Sequence, residues 1–165
     1  MSEYLSTITI SFSNLWVLKT SDNNHYPLEM FVPTDHIHGE LRIQINEQVV
    51  PHMSYFGSDD VCFDIWIREL AKMRKRFKGN VQDTYIFDEG EQGQPAYRFV
   101  RDRGDMHLSI VDSEFSGGHA DPKWQNVIFE YKDFVKAYEG FRVEFLAEIT
   151  QIIPSAADHW AKLFE

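Results

Sequence analysis

The residue types best suited to chemistry in this chain are histidines and carboxylates. His36-Ile37-His38 places two imidazoles two residues apart. On a strand such side chains share one face, and zinc accepts imidazole nitrogen. His119-Ala120-Asp121 offers a third imidazole and a carboxylate from later in the chain. His36, His38, His119 and Asp121 therefore define a candidate metal set of the kind a metal-dependent hydrolase uses. The set lacks HExxH spacing, in which helical geometry itself brings two histidines together. A polar turn before a strand and a second polar loop account for the same residues without an ion. The sequence assigns no metal and no other cofactor.

Other catalytic patterns are incomplete. Asp59-Asp60, Asp88-Glu89 and Asp102 with Asp105 are carboxylate pairs. An acid–base pair needs two environments that split the pKa values. Here the first pair suits the positive end of a helix, and the others suit turns, where Asp bonds locally to backbone. No Gly-x-Ser-x-Gly elbow is present. Cys62 stands early on an apolar helical stripe, which predicts an inert core thiol. Ser116-Gly117-Gly118-His119 is too short for a phosphate loop and lacks its Lys-Ser/Thr ending. No catalytic residue is assigned, and the chain reads as a non-enzyme.

Charge points to protein partners. The net charge is −10, which repels phosphate backbones and anionic lipid and disfavours nucleic acid and membrane as partners. Lys72, Arg74, Lys75, Arg76 and Lys78 form a basic run, which suits the negative C-terminal end of a helix. Acids gather elsewhere: Asp83, Asp88, Glu89 and Glu91 around one strand end, Asp112, Glu114 and Asp121 in a long loop. Convergent acidic loops attract a basic protein quickly and selectively. Phe115 and Trp124 stand in the same loop, and aromatics beside acids anchor interfaces. The candidate partner-binding set is thus Asp88, Glu89, Glu91, Asp112, Glu114, Phe115 and Trp124.

These residues need elements to position them. Thr7, Thr9 and Ser11 alternate with Ile8, Ile10 and Phe12, which predicts a strand over 4–12, continued through Leu15-Trp16-Val17-Leu18 past a bulge at Ser13-Asn14. Leu28–Val32 reads as a short strand, 35–39 as a loop, and Leu41, Ile43 and Ile45 as another strand. A helix begins near Asp59 with Ser58 as N-cap. Its stripe is Cys62, Ile65, Trp66, Leu70, Met73 and Phe77, and it stops at Gly79. Strands follow over 84–88, 96–101, 106–111 and 126–131, with a hairpin turn at Asp102-Arg103-Gly104-Asp105 that places positive φ at Gly104. A second helix starts near Asp133, buries Phe134, Tyr138, Phe141, Phe145, Ile149 and Ile152, and ends at Pro154. Gly140 inside it suggests close packing. Ser155 caps a short final helix with Trp160 and Leu163.

The pattern predicts one α+β domain over 1–165: an antiparallel sheet of about six strands, two main amphipathic helices on one face, and a short C-terminal helix. No apolar run reaches the roughly 20 residues that span a bilayer. The N-terminus lacks the features of a secretory signal, and the single cysteine allows no internal disulfide. Both fit the cytoplasm.

A strand group leading into Trp66-Ile67-Arg68-Glu69-Leu70, several strands, and a close through Val127-Ile128-Phe129-Glu130-Tyr131-Lys132-Asp133-Phe134 into a helix resembles the small acidic immunity-type proteins of bacterial polymorphic toxin systems. The resemblance covers most of the chain from Leu41 onward and is architectural. It implies a cytoplasmic protein that binds a toxin domain and blocks its active site. It carries over no catalytic residues. The alternatives are the metal-dependent hydrolase above and a non-catalytic scaffold or small-ligand-binding domain.

Overall fold

Period-two alternation builds the first sheet. The computed structural model describes residues 7–54, 56–90 and 93–165. Its first five strands are β1 (Ile8–Leu18), β2 (His25–Tyr26), β3 (His36–Ile45), β4 (Gln48–Val49) and β5 (Val61–Cys62). They form an antiparallel sheet in the order β2-β1-β3-β4, with β5 also pairing β3 at His38 and Gly39. Ile37, Leu41, Ile43 and Ile45 are buried on one face of β3. His36, His38, Glu40 and Arg42 therefore share the other.

The bulge expected at Ser13-Asn14 is present: the β1–β3 register shifts between Ser13 and Trp16, and Asn14 has φ 54°. One extra residue reverses the inward parity of the strand. Ile8, Ile10 and Phe12 face the core before it, Leu15 and Val17 after it. Trp16 and Leu18 are thereby turned to the face that carries His36 and His38.

Two segments differ from expectation. Residues Leu28–Met30 form a 3-10 turn instead of a strand. The buried Asp35 carboxylate accepts the Val32 N–H at 3.0 Å, the Thr20 N–H at 3.2 Å and the Lys19 ammonium at 2.7 Å, which ties the segment down as a loop. The expected loop at 35–39 is largely strand, because His36, Ile37 and His38 pair with Leu18, Val17 and Trp16.

The first helix, α1 (Phe63–Gly79), starts later than Asp59. Val61 and Cys62 complete the edge of β3 first, so Asp64 is the acid in the first turn and Ser58 is not the cap. Phe63 stacks on Phe145 at 5.4 Å, whereas Trp66 meets Phe87 edge-on at 4.6 Å. The helix thus joins two aromatic clusters. Its basic end is structurally engaged. Arg76 pairs with Asp83 at 2.7 Å, and Arg74 donates to Tyr131 Oη at 3.3 Å. Arg101 donates to the Phe77 carbonyl and lies 3.6 Å over the Tyr131 ring.

The second sheet is a four-stranded antiparallel meander of β6 (Gln82–Phe87), β7 (Ala96–Asp102), β8 (Asp105–Val111) and β9 (Val127–Glu130). The single six-stranded sheet is therefore corrected to two sheets, of five and four strands. The break falls at α1, which separates them in sequence and packs against both. The β7–β8 hairpin forms at the expected turn, with the positive φ, 57°, on Arg103. The second helix, α2 (Tyr131–Ile152), buries Phe134, Tyr138, Phe141, Phe145 and Ile149 as its spacing predicts. Phe12 of β1 meets Phe145 at 5.2 Å. After a 3-10 turn at Pro154–Ala156, α3 (Ala157–Leu163) buries Trp160, with no side-chain cap from Ser155. Among the described residues no helix is long and apolar enough to cross a membrane.

Two glycines make opposite demands. A Cβ on Gly39 would lie 2.9 Å from Leu15 Cδ2, 3.0 Å from Phe63 Cε2 and 3.0 Å from the Ser13 carbonyl. A Cβ on Gly140 would meet nothing within 4 Å, so close packing does not explain that residue. Gly39→Ala is expected to destabilise the fold by about 1–3 kcal/mol through overpacking. Gly140→Ala is expected to stabilise it by about 1 kcal/mol through helix propensity. Urea-unfolding midpoints of the two variants, compared with the parent chain, check both signs.

Candidate functional site

The face created by the β1 bulge opens into a cleft of about 570 Å³. Trp16 and Leu18 of β1, His36 and His38 of β3, and Cys62 of β5 form its floor, joined by Asp60 and Ile65. Register explains the grouping: His38 stands directly opposite Cys62, and Trp16 directly opposite His38. Asn23, Met53, Phe56, Glu89 and Gln94 complete the lining, the last two from the β6–β7 connection.

Three polar arrangements fix the floor. The Trp16 indole donates to the Asp59 carbonyl at 2.8 Å, and its ring lies 4.1 Å from that of His25 and 4.8 Å from that of His38. His38 Nδ1 is 3.1 Å from Asp60 Oδ1, so a carboxylate orients this imidazole. Asp64 Oδ1 accepts the Ile37 N–H at 3.0 Å, and the same oxygen lies 3.6 Å from His36 Nδ1 and 3.8 Å from Cys62 Sγ. Among the described residues, His36, Cys62 and Asp64 form the group whose donor atoms all come within 4.8 Å of one another.

The chemistry of that group follows from its charge. Burial, and after it the Asp64 carboxylate, push the Cys62 thiol up to about 12. The thiol is therefore neutral at physiological pH and no nucleophile in the free protein. The core position expected for Cys62 on the helical stripe is corrected: the residue lies on β5, half-buried and facing the cleft. No lysine or arginine lines the cleft among the described residues; its lining carboxylates are Asp60 and Glu89, beside the imidazoles of His36 and His38.

The metal set read from the sequence is not assembled. His36 and His38 share the cleft, but Asp121 Oδ2 pairs with His52 Nε2 at 3.0 Å, and His119 is exposed outside the cleft lining. The His52 hydrogen bond holds the Asp121 carboxyl below the usual carboxylate range. Asp121 is thereby engaged as a structural acceptor.

The acidic loops do converge. Asp88 accepts from Ser113 Oγ at 2.7 Å and from the Glu114 N–H at 2.9 Å. Asp112 accepts from the Ala120 N–H at 2.7 Å, closing the base of the loop. A Cβ on Gly90 would sit 3.0 Å from Phe115 Cβ, and one on Gly118 would sit 2.3 Å from the Gln94 carbonyl oxygen, so both contacts require glycine. Phe115 is 73% exposed. Trp124 is corrected: it is 6% exposed and unavailable as an anchor. Backbone bonds from the Ile110 N–H to the Trp124 carbonyl, 2.8 Å, and from the Asp121 N–H to the Ile110 carbonyl, 3.3 Å, fold this segment back onto β8. Glu91 lies outside the described residues.

Sequence reasoning missed Trp16, His25, Phe56, Asp60 and Asp64 as site residues. The bulge at Ser13-Asn14 was the available signal for Trp16. The two-residue strand that brings Cys62 opposite His38 has no periodicity to detect. No protein-family model matches the chain, and no curated protein or solved structure matches it at a significant level.

The protonated state of Cys62 has a kinetic signature. A rise from 9.0 to about 12 lowers the thiolate fraction at pH 8 on the order of a thousandfold, offset about 30-fold by the greater nucleophilicity of a more basic thiolate. Iodoacetamide should label the folded chain at least tenfold more slowly than the urea-unfolded chain at pH 8. The rate in the folded chain should climb about tenfold per pH unit to pH 11, past the point near pH 9 where an ordinary thiol levels off. Mass spectrometry of quenched time points reads both.

Proposed function

We propose that this chain is a stoichiometric protein-binding inhibitor that covers a basic partner surface, as an immunity protein covers a toxin domain. The observation that carries this reading is a largely exposed aromatic, Phe115, on a hydrogen-bonded acidic loop. Phe115 directly follows Glu114, whose N–H is held by the Asp88 carboxylate at 2.9 Å, and its Cβ lies beside Gly90 of the β6–β7 connection. Its loop is held by its own hydrogen bonds: Phe115 N–H to Ser113 Oγ at 3.1 Å, Ser116 N–H to Ser113 Oγ at 2.9 Å, and Ser113 N–H to the Gly118 carbonyl at 2.9 Å. Ser116 Oγ donates to the Gln94 carbonyl, which anchors the loop to the neighbouring connection.

An ordered loop gives up little conformational entropy when it binds. The exposed ring supplies the apolar anchor, and the surrounding carboxylates exclude wrong partners and steer a basic one. Phe56, 81% exposed at the cleft, offers a second aromatic on the Glu89 side. The mechanism is steric and electrostatic occlusion, with no bond made or broken.

The test uses the product of the gene beside this one, because an immunity protein is encoded next to its toxin. The parent chain should form a one-to-one complex with that protein's toxin domain and restore growth of cells expressing it. Phe115→Ala should weaken the complex about 30-fold, the effect of a 2 kcal/mol hot spot. Glu114→Lys should slow association and flatten its dependence on salt. Affinity and salt dependence unchanged in both variants would remove this surface from the reading. No complex and no rescue would leave the scaffold or small-ligand reading in its place.

A further inference from the structure

We propose that His36, Cys62 and Asp64 bind one borderline divalent transition-metal ion, of the zinc class, on the floor of the cleft. The proposal goes beyond the protein-binding reading and stands on different residues, so either can fail alone.

The geometry is close to that of a tetrahedral site. Zinc bonds of roughly 2.0–2.1 Å to nitrogen or oxygen and about 2.3 Å to sulfur imply donor–donor separations of roughly 3.3–3.6 Å. Asp64 Oδ1 lies 3.6 Å from His36 Nδ1 and 3.8 Å from Cys62 Sγ. All three donor atoms lie within 4.8 Å of one another, so an ion would have to draw the set together by side-chain rotation. The backbone already holds two of its members: Cys62 is fixed by β5 pairing, and Asp64 by its bond to the Ile37 N–H. That bond also orients the ligating carboxylate, as outer hydrogen bonds do at metal sites.

A second observation points to a cation. The carboxylates around Cys62 include Asp60 and Glu89 in the cleft lining and Asp64 beside it, and no lysine or arginine lines the cleft among the described residues. A purely structural Asp64 would need only the Ile37 N–H. Its carboxylate instead also faces the Cys62 thiol and the His36 imidazole, both of which line the cleft. The sulfur, nitrogen and oxygen donor set selects zinc, cobalt or nickel over magnesium and calcium, which prefer oxygen alone. Three protein ligands leave a fourth position toward the cleft, which water fills. On binding, the Cys62 proton leaves to solvent and the thiolate pairs with the ion.

The experiment takes the untagged chain, stripped with chelator, and titrates it with zinc by calorimetry and with cobalt by absorbance. One ion per chain is expected. Cobalt should give a thiolate charge-transfer band in the near ultraviolet, with visible bands of tetrahedral intensity. Cys62→Ser should abolish the charge-transfer band. His36→Ala should weaken zinc binding about a hundredfold, the upper end of what even outer-shell partners contribute. The His36 side chain is 47% exposed, so this variant should unfold at the parent temperature when no metal is present. Magnesium should give no heat. The absence of zinc binding at micromolar concentrations overturns the proposal. So does binding that survives both substitutions, because the ion then sits elsewhere.

Discussion

The pairing of Val61 and Cys62 with Gly39 and His38 is the constraint on which the rest of the molecule depends. This two-residue contact sets where α1 begins and how the helix is rotated. From that start Phe63 falls against Phe12, Phe141 and Phe145, and Trp66, three residues on, falls against Phe87 and Tyr97. One helix thereby joins two sheets into a continuous apolar core. Gly39 is part of the same constraint. With Phe63 Cε2 only 3.0 Å from where its Cβ would be, any side chain would push the helix off the strand. Asp64 completes the junction by satisfying the Ile37 N–H just beyond the end of β5, where an unpaired buried donor would be costly.

The same junction makes the cleft. Parity along β3 sends Ile37, Leu41 and Ile43 inward and His36 and His38 outward, and the bulge in β1 sends Trp16 to join them. Without the extra residue, Trp16 would keep the inward parity of Ile8, Ile10 and Phe12. The cleft is thus the reverse side of the features that build the core. Stability and site geometry share the register of three strands, so a slip in β1 would disturb both.

Elements with long, regular patterns could be read directly from the sequence. The α2 stripe from Phe134 to Ile149, the β7–β8 hairpin and the basic end of α1 all lie where periodicity and turn chemistry put them. What failed was short or cooperative. A two-residue strand has no period, so Val61-Cys62 was absorbed into the helix, and the start of α1 was placed too early. Leu28–Val32 has the composition of a strand, yet Asp35 takes the Val32 N–H, and turn carbonyls of Pro27 and Leu28 take those of Met30 and Phe31. One sheet or two depends on which surfaces α1 separates, a tertiary property that no local window contains. Trp124 and Phe115 occupy the same polar loop, and their composition does not separate them. Backbone bonds to Ile110 bury the first, and Ser113 turns the second outward. Asp64 lay hidden for a related reason: its contacts to His36 and Cys62 exist only once β3 and α1 meet.

The Glu89–Gly90 turn belongs to both candidate surfaces. Glu89 lines the cleft, whereas Gly90 packs against Phe115 of the acidic loop. A dication at Cys62 would offset the negative charge of Asp60, Asp64 and Glu89 in a partly enclosed space, where Coulomb interactions are strong. The carboxylates of Asp112 and Glu114, out on the solvent-facing loop, would feel it only through screening water. An ion and a protein partner would therefore be coupled mainly through the position of one short turn. Its mobility is limited on the Phe115 side by a contact that only glycine permits. An ion would draw Glu89 inward, and the Gly90–Phe115 contact would carry that displacement to the aromatic anchor. Any coupling between the two surfaces would run through this turn, because Glu89 lines the cleft and Gly90 touches Phe115.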